Sequence, residues 1–141
     1  MSDPSVISRT VEKTNAWLDE IAAGLETDRN GAYRVLRSYL HALRDRLTVD
    51  ESAQLAAQLP DLIRGIYYEN WDPSKAPLRY HDLSEFLDRV AAEAGLTGET
   101  SASYAVTIVA GVLRRHVSEG EIADVLAQLP KDLRPILEPT R

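Results

Sequence analysis

The chain of 141 residues contains no cysteine, so disulfides, cysteine-bound metals and thiol chemistry are excluded together. That absence is compatible with a reducing compartment but does not require one. Aromatics are scarce at 6%, so any local cluster of them stands out. Basic residues number 16 against 22 acids, and the net charge of −6 argues against nonspecific binding to nucleic acid or anionic lipid, since both need a basic face. Long hydrophobic runs are missing too. The longest, Ile108 to Leu113, is far too short to cross a bilayer. Met1-Ser2-Asp3-Pro4-Ser5 has neither the basic start nor the apolar core of a signal peptide. With 44% apolar and 27% charged residues, the expectation is a soluble, acidic, cytoplasmic globular protein with no membrane or nucleic-acid partner.

What is present is helical periodicity. Val6, Ile7, Val11, Trp17, Leu18, Ile21, Ala22 and Leu25 recur at spacings near three, four and seven, which predicts an amphipathic helix ending near Gly24. Asp28-Arg29-Asn30-Gly31 supplies turn chemistry and an N-cap. A second helix follows, with Ala32, Val35, Leu36, Tyr39, Leu40, Leu43 and Leu47 on one face and Arg34, Arg37, His41 and Arg44 on the other. Thr48-Val49-Asp50-Glu51 reads as a capping box, in which the Thr48 oxygen takes the Glu51 amide and Glu51 reaches back. It opens a short helix to about Gln58 with Ala53, Leu55, Ala56 and Leu59 inward. Pro60 begins a fourth segment towards Trp71, and the prolines of 72–77 end it.

Beyond a linker at 72–81 the plan returns. Asp82-Leu83-Ser84-Glu85 is a second capping signature, and Gly95 is the expected C-terminal stop. Trp17-Leu18-Asp19 aligns with Phe86-Leu87-Asp88 at an offset of 69, which becomes 70 from Ala32 onward. At 70, Leu43-Arg44 meets Leu113-Arg114, Thr48 and Glu51 meet Ser118 and Glu121, and Ala57-Gln58-Leu59-Pro60 meets Ala127-Gln128-Leu129-Pro130. The β-branched run Val106 to Val112 resembles a buried strand on its own. Its counterpart Val35 to Leu43 is plainly helical, so 101–116 is read as the most buried helix, with Gly111 admitting a close neighbour. Arg64-Gly65 and Arg134-Pro135 predict an end or kink in the fourth helix of each copy.

Sites of chemistry are thin. His41, His81 and His116 sit in no metal-ligand pattern, and a haem ligand is the minority reading. No phosphate loop or nucleophile elbow occurs, so no catalytic, cofactor or metal residue is assigned and no cofactor is expected. Arg34, Arg37 and Arg44 form a basic stripe that would suit an anionic partner, although a solvated polar face is the favoured reading. Arg64 and Arg134 are read as ties to nearby carbonyls or to an acid such as Asp19 or Asp88. Tyr67, Tyr68 and Trp71 are the best binding candidates, against a favoured reading of internal packing between the halves.

The runs Trp17 to Ile21, Ala32 to Arg37, Leu40 to Leu47, Gln54 to Pro60 and Ile63 to Pro73 together resemble domain-of-unknown-function family 2267, a bacterial family. The resemblance covers nearly the whole chain. It implies a small, duplicated, all-helical protein grouped near globin-like topologies, and it implies no activity, cofactor or catalytic residue. The family pattern has glycine where this chain has Asn70, and asparagine tolerates a turn with positive φ.

The reading is therefore an all-α protein. About eight helices form one domain over 1–141, as two pseudo-symmetric four-helix repeats at about 6–71 and 82–138, with the second and sixth helices central. An interaction or scaffold module, with self-association or an unknown protein partner, leads. A small-ligand or cofactor binder with a pocket between the repeats is the alternative, and an enzyme comes third.

Overall fold

Every element of the computed structural model is helical; it describes residues 5–139, the Glu99 side chain excepted. Seven α-helices run in order: α1 (Ser5–Leu25), α2 (Arg29–Arg46), α3 (Val49–Ala56), α4 (Asp61–Tyr68), α5 (Leu83–Ala94), α6 (Gly98–His116) and α7 (Glu119–Gln128). Two 3-10 segments, Pro73–Lys75 and Lys131–Ile136, complete the chain. The second of these stands where an eighth helix is expected. Pro135 has no N–H to give, and the backbone there takes the tighter 3-10 form.

Local chemistry sets most of the boundaries. The Asp28 carboxylate accepts from the Gly31 amide at 2.8 Å, and the Thr48 and Ser118 hydroxyls accept from the Glu51 and Glu121 amides at 3.2 Å each. Gly95 ends α5 with φ +73°, and Asn70 turns the chain after α4 with φ +60°, the conformation that asparagine tolerates. Some expectations fail. Asp82 makes no side-chain cap bond, and neither glutamate completes its box, because both carboxylates are buried instead. Ala53 faces solvent while Glu51 and Ser52 take the inward places. Helix α4 also runs past Arg64-Gly65, since one exposed glycine costs only about 1 kcal/mol, and the positive φ at Asn70 ends it later.

Buried apolar side chains from Trp17 to Leu137 form one cluster that draws on both halves. Helix α2 lies at its middle and packs on α1, α4, α5 and α6. It is α2, not α6, that is buried most completely: residues 38–44 are all enclosed, whereas Thr107, Ile108 and Gly111 of α6 keep partial access to water. The close approach assigned to Gly111 occurs at Gly24. A Cβ on Gly24 would lie 2.7 Å from Ile108 Cγ2, while one on Gly111 would meet only arginine tips. Tyr104 donates to the Gly24 carbonyl at 2.7 Å beside this contact. At the other end of α1, Val6, Ile7 and Val11 are exposed, so the apolar stripe outruns the core that covers Trp17, Leu18 and Ile21.

Helices α3 and α7 meet in a seam whose bonds are reciprocal. The Thr48 amide donates to Gln128 Oε1 at 3.3 Å, and the Ser118 amide donates to Gln58 Oε1 at 2.8 Å. Thr48 and Ser118 are 70 positions apart, as are Gln58 and Gln128. Along α1 and α6 the tie is ionic. Glu20 accepts from Arg115 Nε at 2.9 Å and from His116 Nε2 at 2.5 Å, and the His116 ring stacks on Trp17 with centroids 4.9 Å apart.

Helical Gly→Ala changes ordinarily gain about 1 kcal/mol. Gly24→Ala is expected instead to lose about 1–3 kcal/mol in urea unfolding, because β-branched Ile108 has little rotamer freedom, and pairing it with Ile108→Ala should recover stability. For Glu20, burial raises its carboxyl pKa, but the His116 and Arg115 bonds outweigh that and hold it below the ordinary 4.5. The stabilisation is thus present above the unfolded-state value of 4.5 and is lost as pH falls through the lower folded value. Urea midpoints should show the advantage of wild type over Glu20→Gln at neutral pH shrinking below that range.

Candidate functional site

The polar face of α2 would be expected in water, yet Ser38, His41, Arg44 and Arg46 are all buried. The cause lies in what packs on it. A helix ends with carbonyls that have no intrahelical donor, and α4 ends against α2. Arg44 Nη1 donates to Tyr67 O at 2.7 Å and to Glu69 O at 2.6 Å, and His41 Nε2 donates to Ile66 O at 2.7 Å. These donors cover the open carbonyls, and the Arg44 charge faces the negative end of the helix dipole. Arg46 Nε donates to Tyr80 O at 2.8 Å, and the Leu78 amide donates to Asp45 O at 2.8 Å. One turn, Arg44-Asp45-Arg46, thus holds the end of α4 and the linker.

The same turn reaches α5. Asp45 accepts from Arg44 Nε at 2.8 Å and from Arg89 Nη2 at 3.1 Å. Glu93 accepts from Arg37 Nη1 at 2.9 Å and lies 2.8 Å from His41 Nδ1, and Arg37 Nε donates to Glu69 at 3.0 Å. These residues, with Asn70 and Ala92, line a cleft of about 470 Å³ between α2 and α5. Tyr80 sits beside it, and burial pushes its hydroxyl up to about 12 against the pull of Arg89 and Arg46. Arg89 lies 5.6 Å from the Tyr80 ring centre.

The residues singled out in the sequence do not form one surface. Tyr67 is fully buried, and Tyr68 and Trp71 are half-buried; Tyr67 meets Tyr68 edge to face and Tyr68 meets Trp71 at a tilt, with centroids 5.3 Å apart at each step. Arg44 is buried as well, so neither it nor Tyr67 is presented to a partner by the folded chain. Arg37 is spent on Glu69 and Glu93. Arg34 is exposed and lines a different, smaller groove with Leu96 and Tyr104. Arg37 and Arg44 of the stripe are thus paired with acids of the same chain. Arg64 donates to the carbonyls of Ala56 and Leu59 at 2.8 and 3.1 Å, as expected, and its nearby acid is Asp61, because Asp19 pairs with Arg29.

Periodicity alone conceals these buried polar roles, but the 70-residue offset carried a signal for one. Arg114, 70 residues beyond Arg44, donates to Leu137 O at 2.7 Å, and Leu137 is 70 residues beyond Tyr67. A larger concavity than this cleft lies elsewhere, as a groove of about 580 Å³ bordered by Arg9, Lys13, Trp17, Arg64 and His116. One further group, Glu51, Glu121 and Asp124, brings carboxylate oxygens within reach of a single ion.

Arg44→Met removes the donor from Tyr67 O and Glu69 O and is expected to cost about 2–4 kcal/mol in urea unfolding. Arg34→Met, at an exposed position of the same helix, should stay within about 0.5 kcal/mol.

No curated protein matches the chain. A family model described as an uncharacterized conserved protein (DUF2267) matches residues 14–136, from the middle of α1 to the end of the last 3-10 segment. The match takes in the Arg44-Asp45-Arg46 turn, the α3–α7 seam and the cleft between α2 and α5. The chain belongs to the DUF2267 family.

Proposed function

We propose that this protein is an interaction or scaffold module built from two pseudo-symmetric copies of one helical unit, about 6–71 and 82–138, working in the cytoplasm. The duplication is supported by the paired bonds Arg44 to Tyr67 and Arg114 to Leu137, and by the reciprocal use of Gln58 and Gln128 across the seam. Reciprocal contacts of this kind are those of an isologous interface, here within one chain.

The observation that carries the interaction reading is the apolar strip on α1 and α4. Ile7 is 67% exposed and Leu62 45%, with Val6 and Val11 also open to water. The Leu62 amide donates to Thr10 Oγ1 at 3.2 Å, which sets the two helices side by side there. Several large apolar side chains grouped on one face favour a protein partner over bulk water. Self-association through this strip is the simplest form, and a separate protein partner would use the same face.

The alternative, a small-ligand binder with a pocket between the copies, draws on the cleft between α2 and α5. Ligand pockets are mostly apolar with a few converging polar groups. This cleft is walled by charges that already pair with one another, which supports a ligand less well. An enzyme stays third.

Light scattering over a concentration series, together with co-purification from the native cell, tests the leading reading. Wild type should gain mass with concentration or retain a partner, and Ile7→Glu should abolish either while leaving stability within about 0.5 kcal/mol. A strictly monomeric protein that retains no partner would contradict it.

A further inference from the structure

We propose that Glu51, Glu121 and Asp124 form a binding site for one hard divalent cation across the seam between α3 and α7. Glu51 comes from α3 and Glu121 and Asp124 from α7. One oxygen from each lies within 4.8 Å of the other two. Two oxygens on one ion at about 2.3–2.6 Å are at most about 5 Å apart, so this spacing suits a single shared ion.

A cluster of acids on a helix surface would mean little, but two of these are enclosed. Glu51 is 5% and Glu121 6% exposed, and in each the Oε2 atom is cut off from water with no hydrogen-bond partner among the described residues. Burying carboxylates without a compensating charge is expensive. The surroundings supply little. Gln128 Nε2 donates to Glu51 Oε1 at 3.4 Å, a long bond, and among the described residues neither glutamate has an ion-pair partner.

A single proton held between the two glutamates is the competing answer. It would satisfy their facing oxygens but leave Asp124 as an uncompensated third acid at the same place. A divalent ion accounts for all three. Asp124 is exposed, so it gives the ion a way in and leaves room for water to complete the coordination shell. The site also explains why the two glutamates abandon their capping boxes. Each is drawn from its own helix start towards the other, and an ion there would clamp α3 to α7.

The test titrates the full chain, stripped with a chelator, with Mg²⁺, Mn²⁺ and Ca²⁺ separately. Calorimetry and native mass spectrometry read the binding at about pH 8.5, where protons compete least. One ion per chain is expected for at least one of the three metals, with a rise in melting temperature that chelator reverses. Glu121→Gln and Asp124→Asn should each weaken binding about tenfold or more. Asparagine at exposed position 124 leaves the fold intact even if glutamine in the seam disturbs it. Failure of all three ions to bind, or binding unchanged in Asp124→Asn, would overturn the proposal. So would a wild-type chain indifferent to every ion but stabilised by Glu121→Gln, the signature of a shared proton alone.

Discussion

The Arg44 guanidinium is the contact on which the arrangement of the first half and its connection to the second depend. It sits buried at the end of α2 and spends its donors on the last carbonyls of α4 and on Asp45. An enclosed cation is tolerable only when its hydrogen-bonding capacity is met, and here the unsatisfied end of a neighbouring helix meets it. The neighbouring residues extend the arrangement: Arg46 fastens the linker, and Asp45 fastens Arg89 of α5. The route of the chain from α4 to α5 is thus fixed by one helical turn. The apolar core then closes around α2, with α1, α5 and α6 packed against it.

Against that constraint, the aromatic stretch takes on a definite role. Tyr67 is inserted in the core, its own carbonyl gripped by Arg44, while Tyr68 meets it edge to face and Trp71 leans on Tyr68. Asn70 then reverses the chain with a positive φ. These residues close α4 and launch the linker, whereas the exposed apolar residues Val6, Ile7, Val11 and Leu62 lie on α1 and the start of α4.

Much of this was legible in the residues. Hydrophobic spacing located the helices, and Asp28, Thr48, Ser118 and Gly95 marked their ends through chemistry that acts within a few positions. Comparison with Val35 to Leu43 resolved the β-branched run at 106–112 as helix. What escaped depends on distant partners. His41 and Arg44 read as a wet face because periodicity records polarity and cannot see three carbonyls arriving from residues 66–69. Glu51 and Glu121 read as helix caps because each faces the other from 70 positions away, beyond any local motif. Val6, Ile7 and Val11 read as core because a stripe of apolar residues does not reveal where its cover stops.

Helix α2 and the turn at its end should bind both halves into one cooperative unit. Native-state hydrogen exchange under increasing urea tests this most directly. The slowest amides of α2 and those of α6 are expected to share one opening free energy and one urea dependence, equal to those of global unfolding. Exchange of α5 to α7 through a separate opening, with lower free energy and about half the urea dependence, would contradict it.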